Sequence, residues 1–351
     1  MGMTKATSVH VGIGVTALVL AVALQAAADE WPQWRGPSRD GVWRETGLLD
    51  RFPGAELAPR WRTPISGGYS GPTVANGRVY VTDRVTEPTQ QERVLCFAWD
   101  TGHQLWAHAY PCDYGKVSYT TGPRAAVTIN DGRAYSLGTM GHLLCLDAGT
   151  GEVLWRKDPQ TDYKARVPPW GIAASPLVEG DLVIVQVGGE NGACLGAFDK
   201  GTGQERWRAL GDRASYSSPI AIDQAGQRAL VCLTGERVAA LNPGTGELLW
   251  DCPFPPTKMV IAVATPVVHN RWLFVSSFYD GSLMLKLAAD RLAAEEVWRR
   301  RGESEVKTDA LHCMISTPVV DDAHVYGFES YGAYRCLDAG TGDRVWETFQ
   351  T

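Results

Sequence analysis

The chain has 351 residues, of which 44% are hydrophobic and 21% are charged, and its formal net charge is −6 at pH 7. This acidic balance argues against nonspecific nucleic-acid binding, which depends on basic patches. The 38 glycines and 20 prolines favour a single large domain rich in turns.

The first 28 residues have the pattern of a secretory signal. Lys5 lies in a short polar start, an apolar run covers residues 11–24, and three alanines at 26–28 precede Asp29. An uncleaved membrane anchor is the competing interpretation. No cysteine stands at the cleavage region, so we expect no lipid anchor there, and no later apolar run is long enough to cross a bilayer. The mature chain is therefore predicted to be exported, to the periplasm or beyond.

Residues 29–56 form a tryptophan-rich segment ahead of the repeats described next. Trp31, Trp34 and Trp43 lie within thirteen residues. We expect this segment to wrap across the following domain and bury its rings. A carbohydrate-stacking patch is the alternative, in which case the protein is a polysaccharide-associated accessory protein.

Seven tryptophans then recur at intervals of 43 to 52 residues: Trp61, Trp106, Trp155, Trp207, Trp250, Trp298 and Trp346. A period in this range, with one strand-rich unit per repeat, is typical of a β-propeller. We therefore predict an all-β fold of four-stranded antiparallel blades over residues 57–351. Each tryptophan is expected to be structural and to pack between adjacent blades.

Each repeat contains two predicted hairpins. Four tryptophans follow an Asp or Asn and a Gly-Thr-Gly turn, at 147–151, 199–203, 242–246 and 338–342. The first copy has a shorter turn, and the fifth has lost Thr-Gly. The inner hairpin opens at Pro72 and again at Val127, Pro176, Pro219, Pro266 and Pro318. Six blades are predicted, at about 67–110, 118–158, 170–210, 215–253, 262–300 and 312–350.

Residues 58–64, with Trp61, have the pattern of an outer strand that a propeller uses to close its ring. Its three partner strands would have to follow the sixth blade. We therefore expect a partial chain with six complete blades and one orphan strand of a seventh, and a natural six-bladed ring is the alternative. An open ring would expose sheet edges and favour association.

The eight cysteines are predicted to be small core residues. Cys145 and Cys336 occupy one position of the repeat, and Cys96 and Cys194 lie in the same strand of their own blades, so members of each pair are far apart. His312 and Cys313 form the one adjacent His/Cys pair. We predict no metal site and no catalytic residues.

Binding in a propeller is expected on loops around one mouth of the central channel. In this chain those loops are rich in basic and aromatic residues. We predict that a pocket for an anionic group or an extended peptide is formed there by Arg124, Trp170, Lys307 and His312, together with Tyr119, Tyr279 and Tyr331. The alternative is that these residues only bond and stack to close the ring.

The repeated phrase Asp-Ala-Gly-Thr-Gly-x-x-x-Trp, with its proline-opened inner strands, resembles the quinoprotein-type repeat over residues 59–351. Such repeats occur in large alcohol dehydrogenases that carry pyrroloquinoline quinone and in the non-enzymatic scaffold of the bacterial outer-membrane protein assembly machine. The segments at 31–37, 138–147 and 307–312 are similar to those of secreted bacterial proteins built from this repeat.

The resemblance implies a scaffold more than an enzyme. The dehydrogenases place adjacent cysteines over the quinone and carboxylates around a Ca²⁺, and this chain matches neither feature. We therefore expect an exported, non-catalytic binding or scaffolding module without a cofactor, whose partner is a protein, a peptide or an anionic small ligand. A quinone-dependent oxidoreductase is the alternative.

Overall fold

The computed structural model describes residues 2, 30–54 and 56–350. The predicted signal peptide therefore lies, apart from Gly2, outside the described residues. Within the described part of the chain, no helix is long and apolar enough to span a membrane.

The described residues form six four-stranded antiparallel sheets, each ordered as in the sequence. Blade 1 contains β1 (Thr73–Ala75), β2 (Arg78–Val85), β3 (Gln91–Ala98) and β4 (Gln104–Pro111); blade 2 contains β5 (Thr128–Asn130), β6 (Arg133–Leu137), β7 (Leu143–Asp147) and β8 (Val153–Lys157); blade 3 contains β9 (Leu177–Glu179), β10 (Leu182–Gly189), β11 (Ala193–Asp199) and β12 (Glu205–Ala209). A short helix, α1 (Pro159–Tyr163), lies between blades 2 and 3.

The second half of the chain repeats this arrangement. Blade 4 contains β13 (Ile220–Gln224), β14 (Gln227–Leu233), β15 (Arg237–Leu241) and β16 (Leu248–Pro253); blade 5 contains β17 (Val267–His269), β18 (Trp272–Ser277), β19 (Gly281–Leu287) and β20 (Ala294–Arg300); blade 6 contains β21 (Val319–Val320), β22 (His324–Phe328), β23 (Tyr334–Asp338) and β24 (Arg344–Thr348). The prediction of an all-β propeller with six complete blades is confirmed.

The repeated turn has a clear chemical basis. In blade 2, Asp147 Oδ1 accepts hydrogen bonds from the backbone N–H groups of Gly149 and Thr150, both at 2.8 Å. Gly151 then takes φ +77°, a conformation that side chains disfavour. The pairing of β7 with β8 shifts register between Cys145 and Leu146, so a bulge follows each such turn.

In blades 2, 3, 4 and 6 this turn also receives the tryptophan of the preceding blade. A Cβ on Gly151 would lie 2.6 Å from the Trp106 ring, so that the ring needs a glycine beneath it. Trp106 Nε1 donates to the carbonyl of Ala148 at 3.1 Å. The same pairing of ring and glycine joins Trp155 to Gly203, Trp207 to Gly246 and Trp298 to Gly342.

Blade 5 lacks Thr-Gly in its turn and uses a side chain instead. Trp250 Nε1 donates to Gln224 Oε1 at 2.9 Å, and Gln224 Nε2 donates to the carbonyl of Ala293 in the blade 5 turn at 2.6 Å. Gln224 therefore bridges the tryptophan to the turn that cannot receive it directly.

The two ends of the series differ from its middle. Trp61 packs on Gly102 of blade 1 and donates from Nε1 to the carbonyl of Trp99 at 2.8 Å. Trp61 therefore contacts the turn of blade 1 in the way that a blade tryptophan contacts the turn of the following blade. Residues 58–64 nevertheless form no strand in the described structure. Trp346 is 40% exposed.

The core lies between neighbouring blades. Tyr80, Cys96 and Trp106 of blade 1, for example, pack against Ala134 and Leu146 of blade 2. All eight cysteines are free thiols, and seven of them are buried. Burial raises the pKa of the Cys145 thiol to about 12. The seven buried cysteines are packed as small core residues, whereas the half-buried Cys252 contacts Glu296 and Arg299.

Residues 30–44, here called the channel segment, lie against the inner strands. Trp31 pairs with Val74 of β1 through two backbone hydrogen bonds, of 2.8 and 2.9 Å. The carbonyl of Pro32 accepts from the N–H of Ile129 in β5 at 2.8 Å. Trp34 Nε1 donates to Thr265 Oγ1, just before β17, at 2.8 Å. The segment therefore contacts blades 1, 2 and 5.

Arg39 extends these contacts to blades 3 and 4. Its side chain is 3% exposed. The guanidinium donates to three backbone carbonyls that precede the inner strands of these blades, those of Ser175, Pro176 and Pro219. Burial lowers the pKa of Arg39 to about 9. Five blades are thus tied to one segment. The boundary predicted between residues 56 and 57 stays a prediction.

Candidate functional site

The channel-mouth face is formed by the loops that enter each inner strand and by those between the second and third strands of each blade. These loops are joined by hydrogen bonds across successive blades. The N–H of Ser118 donates to the carbonyl of Pro169 at 2.8 Å, and the N–H of Tyr216 donates to the carbonyl of Ala262 at 3.0 Å. Neighbouring loops of the face are therefore connected through their backbones.

The clearest feature of this face is the Arg124 patch, which we define as Tyr69, Tyr114, Tyr119 and Arg124. The guanidinium of Arg124 lies 5.2 Å from the ring centre of Tyr69 and 5.7 Å from that of Tyr114. It donates to the carbonyls of Ser118 at 3.0 Å and Tyr119 at 2.5 Å. Burial lowers the pKa of Arg124. Tyr119 is 67% exposed and Tyr69 is 49% exposed.

A buried carboxylate supports this patch from below. Glu92 is 1% exposed and accepts hydrogen bonds from Tyr114 Oη at 2.6 Å, Tyr110 Oη at 2.5 Å and the N–H of Thr139 at 3.1 Å. Burial, with the negative charge of Glu92, raises the pKa of Tyr114. Tyr114 therefore remains a neutral donor and is held in one orientation.

Trp170 lies further round the same face. Its ring packs at 5.7 Å from that of Tyr216, with the two planes tilted by 55°. The Tyr216 hydroxyl is buried and has no hydrogen-bond partner among the described residues. Burial raises its pKa to about 12. This pair therefore links the loop that enters blade 3 to the loop that enters blade 4.

A second group, the Phe278 cluster, consists of Lys258, Phe278, Tyr279, His312 and Tyr331. The Phe278 ring lies 4.6 Å from Tyr279 and 6.2 Å from Tyr331. Lys258 Nζ lies 4.6 Å from the centre of the Tyr279 ring. His312 has no exposed surface, and its Nδ1 is 2.8 Å from the carbonyl oxygen of Phe278. Burial lowers its pKa.

The predicted site residues therefore fall into separate groups. Tyr119 and Arg124 lie together, and Tyr279, His312 and Tyr331 lie together around Phe278. Lys307 is 77% exposed along its side chain, and its Nζ is 3.9 Å from Glu303. No hydrogen bond, ion pair or ring contact in the described structure joins Lys307 to Arg124.

Several residues of this face were missed by the sequence analysis. Tyr69, Glu92, Tyr216 and Phe278 were not among the predicted site residues. Tyr216 and Phe278 lie in channel-mouth loops, before β13 and after β18, whereas Glu92 lies inside β3 and shows no local signal. Its role depends on a tyrosine that follows the next strand.

The serines that precede the inner strands make structural hydrogen bonds. Ser175 Oγ accepts from the N–H of Ala126 at 3.0 Å, Ser218 Oγ accepts from the N–H of Ser175 at 2.9 Å, and Ser217 Oγ donates to the carbonyl of Ala264 at 2.9 Å. These serines link neighbouring inner strands. Across the described residues, no group of three His, Cys, Asp or Glu side chains is placed to hold a metal ion.

Comparison with known proteins gives one curated relative and several similar folds. Outer membrane protein assembly factor BamB of Moranella endobia (strain PCIT) is 23% identical over 227 residues, which are 62% of this chain and 55% of the relative. The chain thus spans about half the length of that relative.

Among solved structures, BamB from Moraxella catarrhalis has a TM-score of 0.54 and 16% identity, with 78% of this chain and 71% of that chain covered. This likeness shows the fold. A europium-containing methanol dehydrogenase reaches a TM-score of 0.49 at 13% identity, over 92% of this chain and 86% of that chain.

The model of one protein family matches residues 90–348, a stretch that runs from blade 1 to the last strand of blade 6. That family is described as outer membrane protein assembly factor BamB. The resemblance to quinoprotein-type repeats is confirmed, since the match covers most of the propeller. The chain belongs to the family of outer membrane protein assembly factor BamB.

Proposed function

We propose that this chain is a non-catalytic scaffold that binds a protein partner on its channel-mouth face during outer-membrane protein assembly. Membership of the BamB family supports a binding or scaffolding role. The single observation that carries the choice of face is the Arg124 patch, where a half-buried cation is flanked by exposed tyrosines.

The electrostatics of Arg124 favour an external partner. Its hydrogen bonds run to backbone carbonyls and to Thr139 Oγ1, and no carboxylate of the described residues lies within ion-pair distance of it. A partner carboxylate or carbonyl would therefore meet a preorganised cation. Tyr and Arg are also the residue types enriched among interface residues that carry most of the binding free energy.

The other predicted residues take supporting roles in this proposal. Trp170, Tyr279 and Tyr331 extend the aromatic surface beyond the Arg124 patch, and Lys307 adds an exposed positive charge at its border. His312 is fully buried, so we assign it the role of fixing the loop at Phe278. The partner would lie across several blades, as expected for a propeller.

We propose further that the chain works without pyrroloquinoline quinone. The channel segment bonds to the inner strands of five blades, and the buried cation of Arg39 would repel a Ca²⁺ bound in the channel. After incubation with the quinone and Ca²⁺ and removal of free quinone, the purified chain should retain no stoichiometric absorbance and reduce no dye. A retained chromophore with dye reduction would favour the oxidoreductase instead.

The site of action in this proposal lies outside the cytoplasm. The predicted signal at residues 1–28 and the family of outer-membrane assembly factors both support export. Export brings the face into the compartment where outer-membrane proteins are assembled.

Photocrosslinking in the source bacterium tests the proposed face. A photoreactive phenylalanine analogue replaces Tyr119 on the channel-mouth face or, as a matched control, Thr150 in an exposed turn at the opposite end of blade 2. We expect crosslinks from position 119 to a protein of the outer-membrane assembly machinery, and their loss when Arg124→Gln is added.

Two results would contradict this assignment. One is an equal crosslinking yield from positions 119 and 150, which would show that the partner does not bind specifically to the channel-mouth face. The other is a crosslink at position 119 that persists at full yield in the Arg124→Gln background.

A further inference from the structure

A cavity of about 500 Å³ lies between the channel segment and the first two blades. Its volume falls within the range of small-molecule sites, which are mostly apolar with a few placed polar groups. The walls come from the channel segment and from the starts of the inner strands of blades 1 and 2. They include Trp31, Gln33, Trp34, Arg35, Gly71 and Val74.

The apolar walls are held in fixed positions. Trp31 is paired with Val74 through its backbone, and a Cβ on Gly36 would lie 2.8 Å from its ring. The indole of Trp34 is anchored through Nε1 to Thr265. Two half-buried indoles therefore line the cavity before any ligand arrives, and they provide flat surfaces for an apolar body.

The cavity also contains one positioned cation. Arg35 donates from Nη2 to the carbonyl of Asp40 at 2.5 Å and from Nε to the carbonyl of Arg39 at 3.3 Å. Its guanidinium lies against Gly41, where a Cβ would be 2.8 Å from Nη2. Arg35 Nη1 donates no hydrogen bond to any described residue, so this donor is available to a ligand.

The other polar side chain of the wall is already engaged. Gln33 Oε1 accepts from Arg39 Nε at 2.8 Å, and its Nε2 donates to the carbonyl of Pro37 at 2.8 Å. The nearest carboxylate, Asp40, is bound by Arg44 at 2.5 Å. Arg35 therefore lines the cavity without a hydrogen bond or ion pair to a carboxylate of the described residues.

We propose that this cavity binds a small organic monocarboxylate with a flat aromatic body. The carboxylate would accept a charge-assisted hydrogen bond from Arg35 Nη1, and the body would lie against the indoles of Trp31 and Trp34. None of these residues belongs to the Arg124 patch. The site is therefore separate from the proposed protein-binding surface, and either can fail without the other.

Titration with 2-naphthoate, followed by ligand-observed NMR and calorimetry, tests the proposal. We expect 2-naphthoate to bind saturably at one site. The neutral isostere 2-naphthamide should bind with an affinity at least about tenfold lower. Arg35→Gln should weaken 2-naphthoate binding by about tenfold or more and leave 2-naphthamide binding unchanged. Arg62→Gln removes the same charge from an exposed residue that does not line the cavity, and it should bind like the wild type.

A second variant keeps the test valid if Arg35→Gln fails to fold. A Cβ on Gly71 meets nothing within 4 Å, so Gly71→Leu adds volume at the cavity wall without a backbone clash and should abolish binding of both ligands. Wild-type protein that binds neither ligand would overturn the proposal, as would equal affinities for 2-naphthoate and 2-naphthamide. Equal losses in Arg35→Gln and Arg62→Gln, or full binding by Gly71→Leu, would overturn it as well.

Discussion

Asp199 shows how one side chain organises a blade turn. Its Oδ1 accepts from the N–H groups of Gly201 and Thr202 at 3.0 and 2.9 Å, and its Oδ2 is 2.7 Å from Arg206 Nη2. The hydrogen bond from Arg206, followed by those from Thr202, lowers the pKa of Asp199 to about 2. Blade 4 has Asn242 at this position, and its side chain accepts the same two backbone hydrogen bonds. The turn therefore forms without a charged side chain at this position.

The first prediction concerns pH. Because the pKa of Asp199 is lower in the folded chain than its usual 3.8, its carboxylate stabilises the fold above that pH, and this contribution is lost as pH falls toward 2. Asp199→Asn should lower the free energy of unfolding near neutral pH, and its difference from the wild type should shrink between about pH 4 and 2. Denaturant unfolding across that range is the measurement. If the difference in the free energy of unfolding between the variant and the wild type stays constant with pH, the charge of Asp199 does not contribute to stability.

At the scale of elements, the contact between a tryptophan and the next turn joins blade to blade. Gly151 meets two separate requirements there, because it has φ +77° and because the Trp106 ring occupies the space of a side chain. Gly132, in the inner turn of the same blade, has φ +72° with nothing within 4 Å of a Cβ. A comparison of substitutions at these two glycines therefore separates the energetic cost of backbone strain from that of the contact between blades.

Alanine at these two positions should give different costs. We expect Gly132→Ala to lower the free energy of unfolding by about 1 kcal/mol from backbone strain alone. Gly151→Ala should cost about 1–3 kcal/mol more, because its methyl group displaces the Trp106 ring. Calorimetric and denaturant unfolding of both variants measure this difference. Equal costs would mean that the ring yields freely and that the contact contributes little.

These elements also show what the sequence could predict. The spacing of the tryptophans and the Gly-Thr-Gly turns were sufficient to place six blades, since each blade repeats the same chemistry within about 50 residues. The blade 5 turn could be recognised as different, but the side chain that links it to Trp250 could not be predicted. Gln224 lies in the inner strand of the preceding blade, and a lone glutamine in a strand carries no pattern that points to a distant turn.

The candidate site was predictable only in part, for a related reason. Tyr119 and Arg124 belong to one loop and could be grouped from the sequence. Tyr69 comes from another loop, and Glu92 acts on the patch through Tyr114. The path of the channel segment was hidden as well, because Arg39 donates to backbone carbonyls, and any residue type supplies a carbonyl.

At the scale of the whole molecule, the channel segment connects blades that are distant in sequence. Arg39 contacts residues 136 to 180 positions away, and Trp34 contacts Thr265, which is 231 positions away. Such links constrain the relative positions of blades 1 to 5 from the inside, whereas the tryptophans join neighbours nearer the rim. The blades are thus connected both at the channel and nearer the rim.

Replacing Arg39 should therefore affect the entire propeller. Arg39→Met removes the donors and leaves the buried carbonyls of Ser175 and Pro219 without a partner, whereas Thr128 Oγ1 still donates to that of Pro176. The free energy of unfolding should therefore fall by about 2 kcal/mol or more. Arg44→Met changes an exposed residue of the same segment and should cost less than about 1 kcal/mol. Thermal unfolding with tryptophan fluorescence follows both. Similar small losses would mean that the segment only rests in the channel.

The central claim, that the channel-mouth face binds a protein partner, is tested most directly by a binding titration with the partner captured at position 119. Tyr119 is 67% exposed, so Tyr119→Ala should leave the melting temperature unchanged. The account predicts an affinity at least about tenfold lower for this variant than for the wild type, with Thr150→Ala unchanged. Wild-type affinity in Tyr119→Ala, or equal losses in both variants, would contradict it.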